Sequence, residues 1–208
     1  MITIRKANAN DCNFIANIIL LAESTGFEIT SYTKMFSKTN DELLPYFEKI
    51  INNETDGHPL TYKSYLIACI DNVPASAISV YKEGEFGDSN HLMTGALMTG
   101  FDRKSVGAAF GFLKNHSDIS IQKKINTLQI DCVATLPEFR GKGILKQLLA
   151  ETEQIANNSQ LNEIQIQVWK KNDGAVKVYE KSGYKISTEM LSSTDNRNGK
   201  VLMIKNIK

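Results

Sequence analysis

The 208-residue sequence predicts an α/β (α+β) fold, a mixed and mostly antiparallel central sheet of about six to seven strands flanked by helices. Three observations carry that prediction. Apolar residues alternate with polar ones at Leu128, Ile130, Cys132 and Ala134 and again at Ile164, Ile166 and Val168, the period of a strand. Between those two runs, Ile144, Leu145, Leu148, Leu149, Ile155 and Ala156 mark one side of an amphipathic helix. Earlier, residues 64–71 and 75–81 read as two strands joined across Asp71-Asn72-Val73-Pro74, a β-hairpin. No repeat, low-complexity tract or linker interrupts the chain, so residues 1–208 read as one domain with a variable insertion around 84–125.

The remaining elements follow in order. Residues 3–6 form a short first strand. Asn10 or Asp11 caps a helix that carries Phe14, Ile15, Ile18, Ile19 and Ala22 on one face. Asn40 caps a second helix over 41–52, with Pro45 near its first turn, where a missing N–H does little harm. Residues 26–39 read as loop and irregular helix. Glycines punctuate 83–124, where a helix over about 103–114 is the one clear element. Asn172 or Asp173 caps a short helix that Gly183 stops, and 184–189 and 201–206 are two last strands joined across a polar loop.

A formal net charge of +1 gives no electrostatic reason to expect nucleic acid or an anionic membrane as partner. No apolar run approaches the roughly 20 residues a membrane span needs, and charge directly behind the first residues does not make a signal peptide. Three scattered cysteines form neither a disulfide framework nor a metal-ligand spacing, so reduced thiols, no metal and a cytoplasmic location are expected. His58, His91 and His116 sit in no motif and read as surface residues.

Chemistry concentrates where a strand runs through Arg140-Gly141-Lys142-Gly143 into a helix. The first N–H groups of a helix lack internal partners and carry the positive end of its dipole. Glycines let an anion approach those amides, and Arg140 and Lys142 add charge, which together make a pyrophosphate seat. A Walker loop is absent, because Ile144 and Leu145 follow where Ser or Thr belongs. A dinucleotide fingerprint finds Gly141 and Gly143 but Lys146 in place of its third glycine. The bland reading is a strand-to-helix turn with incidental charges.

The run from Val133 through Pro137 to Ile144 resembles the acetyl-CoA motif of the GNAT superfamily of N-acetyltransferases, Arg/Gln-x-x-Gly-x-Gly/Ala after the fourth strand. Asn172, Ala175, Tyr179-Glu180-Lys181 and Gly183-Tyr184 resemble that family's second landmark, a helix ending in a Tyr-Glu-Lys-x-Gly-Phe-like sequence. The resemblance spans roughly 126–185 and leaves 84–124 uncovered. Leu145 stands where the family carries Gly or Ala.

What the resemblance implies is direct transfer of an acetyl group from acetyl-CoA, a co-substrate, to an amine acceptor, in the manner of a primary amine on a small molecule or peptide. It implies that the backbone of Val133, Ala134 and Thr135 pairs with the pantetheine arm, with the Val133 N–H as oxyanion donor. Arg140, Gly141, Lys142, Gly143, Ile144 and Leu145 would wrap the pyrophosphate, and Asn172 would reach the cofactor or simply cap its helix. Tyr179 would be the general acid, against the reading of a core aromatic, and Asp131 the general base, against a solvated strand carboxylate. Alternation puts Gln129 and Asp131 on the face of Val133 and turns Cys132 to the core with Leu128 and Ile130. A non-catalytic acyl-CoA-binding module of the same fold is the alternative that Leu145 and Gln129 leave open. The family is often dimeric, and its acceptor contacts come from the regions corresponding here to 25–40 and 84–124.

Overall fold

The structure is a computed structural model that describes residues 1–24, 30–53, 55–115, 121–191 and 199–207. Its centre is a seven-stranded sheet in the order β1-β2-β3-β4-β5-β7-β6, formed by β1 (Ile2–Lys6), β2 (Tyr65–Ile70), β3 (Val73–Lys82), β4 (Leu128–Thr135), β5 (Glu163–Trp169), β6 (Lys185–Met190) and β7 (Lys200–Asn206). Every neighbouring pair is antiparallel except β4 and β5. The expected mixed, mostly antiparallel sheet is therefore what the chain forms. Asp71 and Asn72 take φ of 49° and 68°, the paired left-handed turn that suits the twist of a two-residue hairpin between β2 and β3.

Helices cover the two faces separately. On one face lie α1 (Cys12–Ser24), α2 (Ser31–Phe36), α3 (Asn40–Ile51), α4 (Ser89–Gly100) and α5 (Arg103–Asn115). Their apolar sides meet Tyr65, Ile67, Ala77 and Ala134 of the sheet. The other face is covered by α6 (Ile144–Asn158) and α7 (Asp173–Lys181), which pack on Ile78, Leu128, Ile130, Ile164 and Ile166. Ile15, Ile18 and Ile19 of α1 are fully buried, and each such side chain contributes about 1.5–3 kcal/mol.

Several sequence readings need correction. α1 is entered through a short 3-10 turn capped by Asn8, and Asp11 is instead held by Arg5 at 2.7 and 2.8 Å. Thr39, not Asn40, caps α3, in a reciprocal box with Glu42. Pro45 lies inside α3 rather than at its first turn. The region 84–125 carries two helices where one was expected. Asp88 caps α4 by accepting from the His91 N–H at 2.9 Å, a signal obscured by α4's glycines and mixed composition. Gly100 is required there, because a Cβ would stand 2.2 Å from Ile50 of α3.

This segment is docked by contacts of its own. Phe101 stacks between Phe36 and Tyr46, with centroids 3.8 and 4.6 Å away, and Asp102 accepts from the Tyr46 hydroxyl at 3.0 Å. The fate of the polar loop at 192–198, of residues 25–29 and of His116 lies outside the described residues.

Candidate active site

β4 and β5 pair over only three positions, from Leu128↔Ile164 to Ile130↔Ile166. Beyond Ile130 the ladder stops, because β4 carries a bulge. Its register with β3 shifts between Ala77 and Ser79, and Cys132 adopts φ 44°, a left-handed conformation for a non-glycine residue. A cleft of about 220 Å³ opens between the parted strands. Asp131, Cys132 and Val133 line it from β4, Gln167, Val168 and Trp169 from β5, and Asn172 and Tyr179 from the start and body of α7.

The bulge overturns the simple alternation. Val133 packs with the α6 face beside Ile130, while Cys132 packs with the α1 face and also lines the cleft. Cys132 is thus not turned to the core with Leu128 and Ile130, and Asp131 does not share a face with Val133. One extra residue in β4 reverses the phase. Burial raises the Cys132 thiol well above its ordinary range, which suits an inert thiol rather than a nucleophile. Gln129 is buried and bonded to Thr127 at 2.6 Å and Gln165 at 3.0 Å, out of the cleft.

After β4 the chain turns through the glycine loop. Gly141 and Gly143 take φ of 76° and 73°, and a Cβ on either would meet nothing within 4 Å. Gly143 occupies the N-cap of α6 with no side-chain cap, so the first N–H groups of that 15-residue helix face outward without an internal acceptor. Arg140 donates to the Thr135 carbonyl at 3.2 Å, and Lys142 sits over the Phe139 ring. The open loop, the uncapped amides and the adjoining cations fit a pyrophosphate. Leu145 leaves the loop untouched, because its side chain packs with the α6-face core. The Ala134 side chain is buried on the α1 face and its carbonyl accepts from Ser76, so only main chain is offered there.

A family comparison decides what this arrangement belongs to: the model of the acetyltransferase (GNAT) family matches residues 29–184. The chain belongs to the GNAT acetyltransferase family. No curated protein matches it. Among solved structures, this GNAT chain is similar to a crystal structure of an acetyltransferase (TM-score 0.69, 19% identity, 99% of this chain and 100% of that one). It is similar to an N-acetyltransferase from Staphylococcus aureus Mu50 (TM-score 0.69, 19% identity, 98% and 100%). A third likeness is to the PaiA N-acetyltransferase from Thermoplasma acidophilum in complex with coenzyme A (TM-score 0.54, 18% identity, 99% and 99%).

Within the GNAT frame, the predicted chemical groups fall as follows. Tyr179 is 4% exposed, lines the cleft and meets Tyr184 edge-on at 5.7 Å. Burial, and next the charge of Asp131, raise its phenol above the ordinary range, so it stays protonated. Asn172 caps α7 by accepting from the Ala175 N–H at 3.2 Å, and it lines the cleft as well. Asp131 lines the same cleft, and its Oδ2 accepts from the Tyr81 hydroxyl at 2.8 Å and from Lys123 at 3.1 Å.

The cleft is also walled by groups the sequence reading did not single out. Ile19, Ala22 and Glu23 come from α1, Tyr32 from α2, Asn90 and Met93 from α4, and Pro59 and Lys123 from connecting segments. No local pattern marks them, because they meet only in the folded chain. His58, expected at the surface, is fully buried behind Pro59, and its Nδ1 accepts from the Leu60 N–H at 3.1 Å. His91 is exposed beside Asp88. Among the described residues, no cluster of His, Cys, Asp and Glu is arranged to hold a metal, and no helix is long and apolar enough to cross a membrane.

Proposed function

We propose that this GNAT acetyltransferase moves an acetyl group from acetyl-CoA to a primary amine of a small molecule or peptide, directly and within a ternary complex. One observation carries the reading: β4 and β5 part immediately after Ile130 and Ile166, and the chain leaving β4 runs into an uncapped helix N-terminus at Gly143. A parted strand followed by free helix amides suits a ligand of two amides and a pyrophosphate.

Acetyl-CoA, when bound, supplies the activated acetyl group; the protein supplies position and proton management. The main chain of Val133, Ala134 and Thr135 aligns the pantetheine arm, and the Val133 N–H serves as oxyanion donor. The amides of Gly141 to Leu145, with Arg140 and Lys142, hold the pyrophosphate. Asn172 contacts the arm from the head of α7. Asp131 takes the proton from the acceptor amine through the carboxylate oxygen that Tyr81 and Lys123 leave open. Tyr179 gives its proton to the departing thiolate, which its buried, protonated phenol suits. The whole of 1–208 acts as one acetyltransferase domain. Its free thiols at Cys12, Cys69 and Cys132 suit a reducing cytoplasm.

Thermal unfolding with acetyl-CoA, CoA, ATP and NAD in parallel tests the cofactor. A ligand at 100 times its Kd stabilises the fold by about 2.7 kcal/mol, and the expected result is a shift with acetyl-CoA and CoA alone. Release of free thiol on adding a panel of primary amines then tests transfer. Binding without release for any amine would replace the enzyme by a non-catalytic acyl-CoA-binding module.

A further inference from the structure

Lys123 is a buried cation with an unusual set of partners. Its side chain is 8% exposed, and an ammonium out of water must be matched by charge and hydrogen bonds. Nζ donates to Asp131 Oδ2 at 3.1 Å, to the Tyr81 hydroxyl and to Ser89 Oγ at 3.3 Å. Ser89 in turn donates to the buried Glu83 from its hydroxyl at 2.6 Å and its N–H at 3.0 Å. One ammonium thereby ties together β3, the first turn of α4, the segment ahead of β4, and β4 itself.

The arrangement is asymmetric about Asp131. Oδ2 receives both Tyr81 and Lys123, whereas no described residue donates to Oδ1. Asp131 is half-buried at the lip of the cleft, and Lys123 lines the same cleft beside Asn90 and Met93 of α4. A carboxylate on a short side chain has one rotatable bond that turns its oxygens, and two donors on one oxygen stop that rotation.

We propose that Lys123 is the positioning residue of this site: with Tyr81 it fixes the Asp131 carboxylate so that Oδ1 alone faces the acceptor, and through Ser89 it pins α4 as the acceptor wall. The proposal rests on the reading of Asp131 as the proton acceptor. It assigns a task to the 84–125 segment, whose α4 lends Asn90 and Met93 to the cleft. It also accounts for the cost of burying a lysine next to the reaction space. An apolar residue of that length would fill the volume equally well but would leave Asp131 free to turn. The other titratable groups around Asp131 are Tyr32 from α2, Tyr65 from β2, Cys132 on its own strand and Tyr179 from α7, with Glu23 of α1 across the cleft. None of these is a cation, and the other lysine lining the cleft, Lys200 of β7, sits over the Trp169 ring, 4.5 Å from its centroid.

The test compares the wild-type protein with Lys123→Met, Lys123→Arg and Tyr81→Phe. The orientation of the Asp131 carboxylate is read from crystal structures of each protein with no acetyl-CoA present. Lys123→Met is expected to leave the carboxylate turned or in more than one orientation, with Tyr81→Phe disturbing it less and Lys123→Arg restoring the single orientation. In acetyl transfer, Lys123→Met is expected to lower kcat/KM for the amine about 10²-fold. Lys123→Arg should recover most of that loss, and KM for acetyl-CoA should be unchanged. If Lys123→Met does not fold, Tyr81→Phe carries the same test with one hydroxyl removed. A carboxylate orientation indifferent to both changes would overturn the proposal, as would a turned carboxylate with an unaltered rate. A wild-type protein that binds acetyl-CoA but acetylates no amine sinks the transferase reading instead, and the ligand-free structures still decide whether Lys123 holds Asp131.

Discussion

The bulged end of β4, the glycine loop after it and the head of α6 offer main chain, whereas the cleft walls from α1, α2, α4 and Lys123 offer side chains. The difference follows from what each end has to hold. A pantetheine-pyrophosphate arm is a fixed chemical shape, and amides on a bulged strand and an uncapped helix satisfy it without particular side chains. An acceptor is selected by apolar walls and a few placed charges, which only side chains supply. Substitutions at the two ends should therefore separate cleanly in their effects on acetyl-CoA and on the amine.

The largest expected effect lies between the two ends. Tyr179→Phe removes the proton donor and should lower kcat by about 10²–10⁴-fold, while calorimetry finds acetyl-CoA bound as before. Unchanged turnover would take Tyr179 out of the acid role. Next comes the main-chain end. Gly143→Val forces a β-branched residue into φ 73°, a strain of about 1–3 kcal/mol. The expected result is acetyl-CoA binding weakened by up to roughly 10²-fold, with the acceptor KM untouched. A rise in acceptor KM alone would break the division proposed above. At the side-chain end, Met93→Ala should change the acceptor KM by about tenfold and leave acetyl-CoA affinity as it was. Equal changes in both constants would mean that α4 reaches the cofactor.

The smallest effect concerns stability. His58 is fully buried, and burial above all holds its imidazole below the ordinary 6.5, with the charge of Lys123 lowering it further against Asp56. In the unfolded chain His58 takes up a proton below 6.5, while the folded chain resists it. Stability is thus complete above that value and is lost as pH falls from it through the folded-state value. Denaturant midpoints measured downward from neutral pH should decline, and His58→Phe should flatten that decline between the two values. An identical acid limb in the variant would show that other groups govern it.

The same division explains what could be read in advance. The strand-loop-helix run from Leu128 to Ala156 is local: its alternation, glycines and amphipathic face are written in consecutive residues, and the fold around them followed. The α7 helix was legible because Asn172 and Gly183 bound it at both ends, whereas Tyr179 and Asn172 stood out as site residues only through the likeness of that stretch to the family's second landmark. Lys123, Tyr81, Tyr32 and Met93 were not, since they come from four segments that meet only through tertiary contacts. α4 escaped notice because glycines at 95 and 100 argue locally against a helix, whereas Gly100 is there to let α4 approach Ile50. The face assignment of Val133 failed for a different reason. Period-2 reading assumes an unbroken ladder, and a bulge leaves no reliable mark in composition.

That bulge makes β4 a strand written in two frames. Upstream of Cys132 even-numbered residues belong to the α6 face; downstream the odd-numbered Val133 does. A single-residue deletion at Cys132 would restore one continuous frame and a conventional ladder. It would also carry the pairing of β4 with β5 onward past Ile130 and close the gap in which the chemistry is housed. The unpaired residue is in that sense a spacer. A strand one residue shorter would make a more regular sheet and a protein with nowhere to put its substrate.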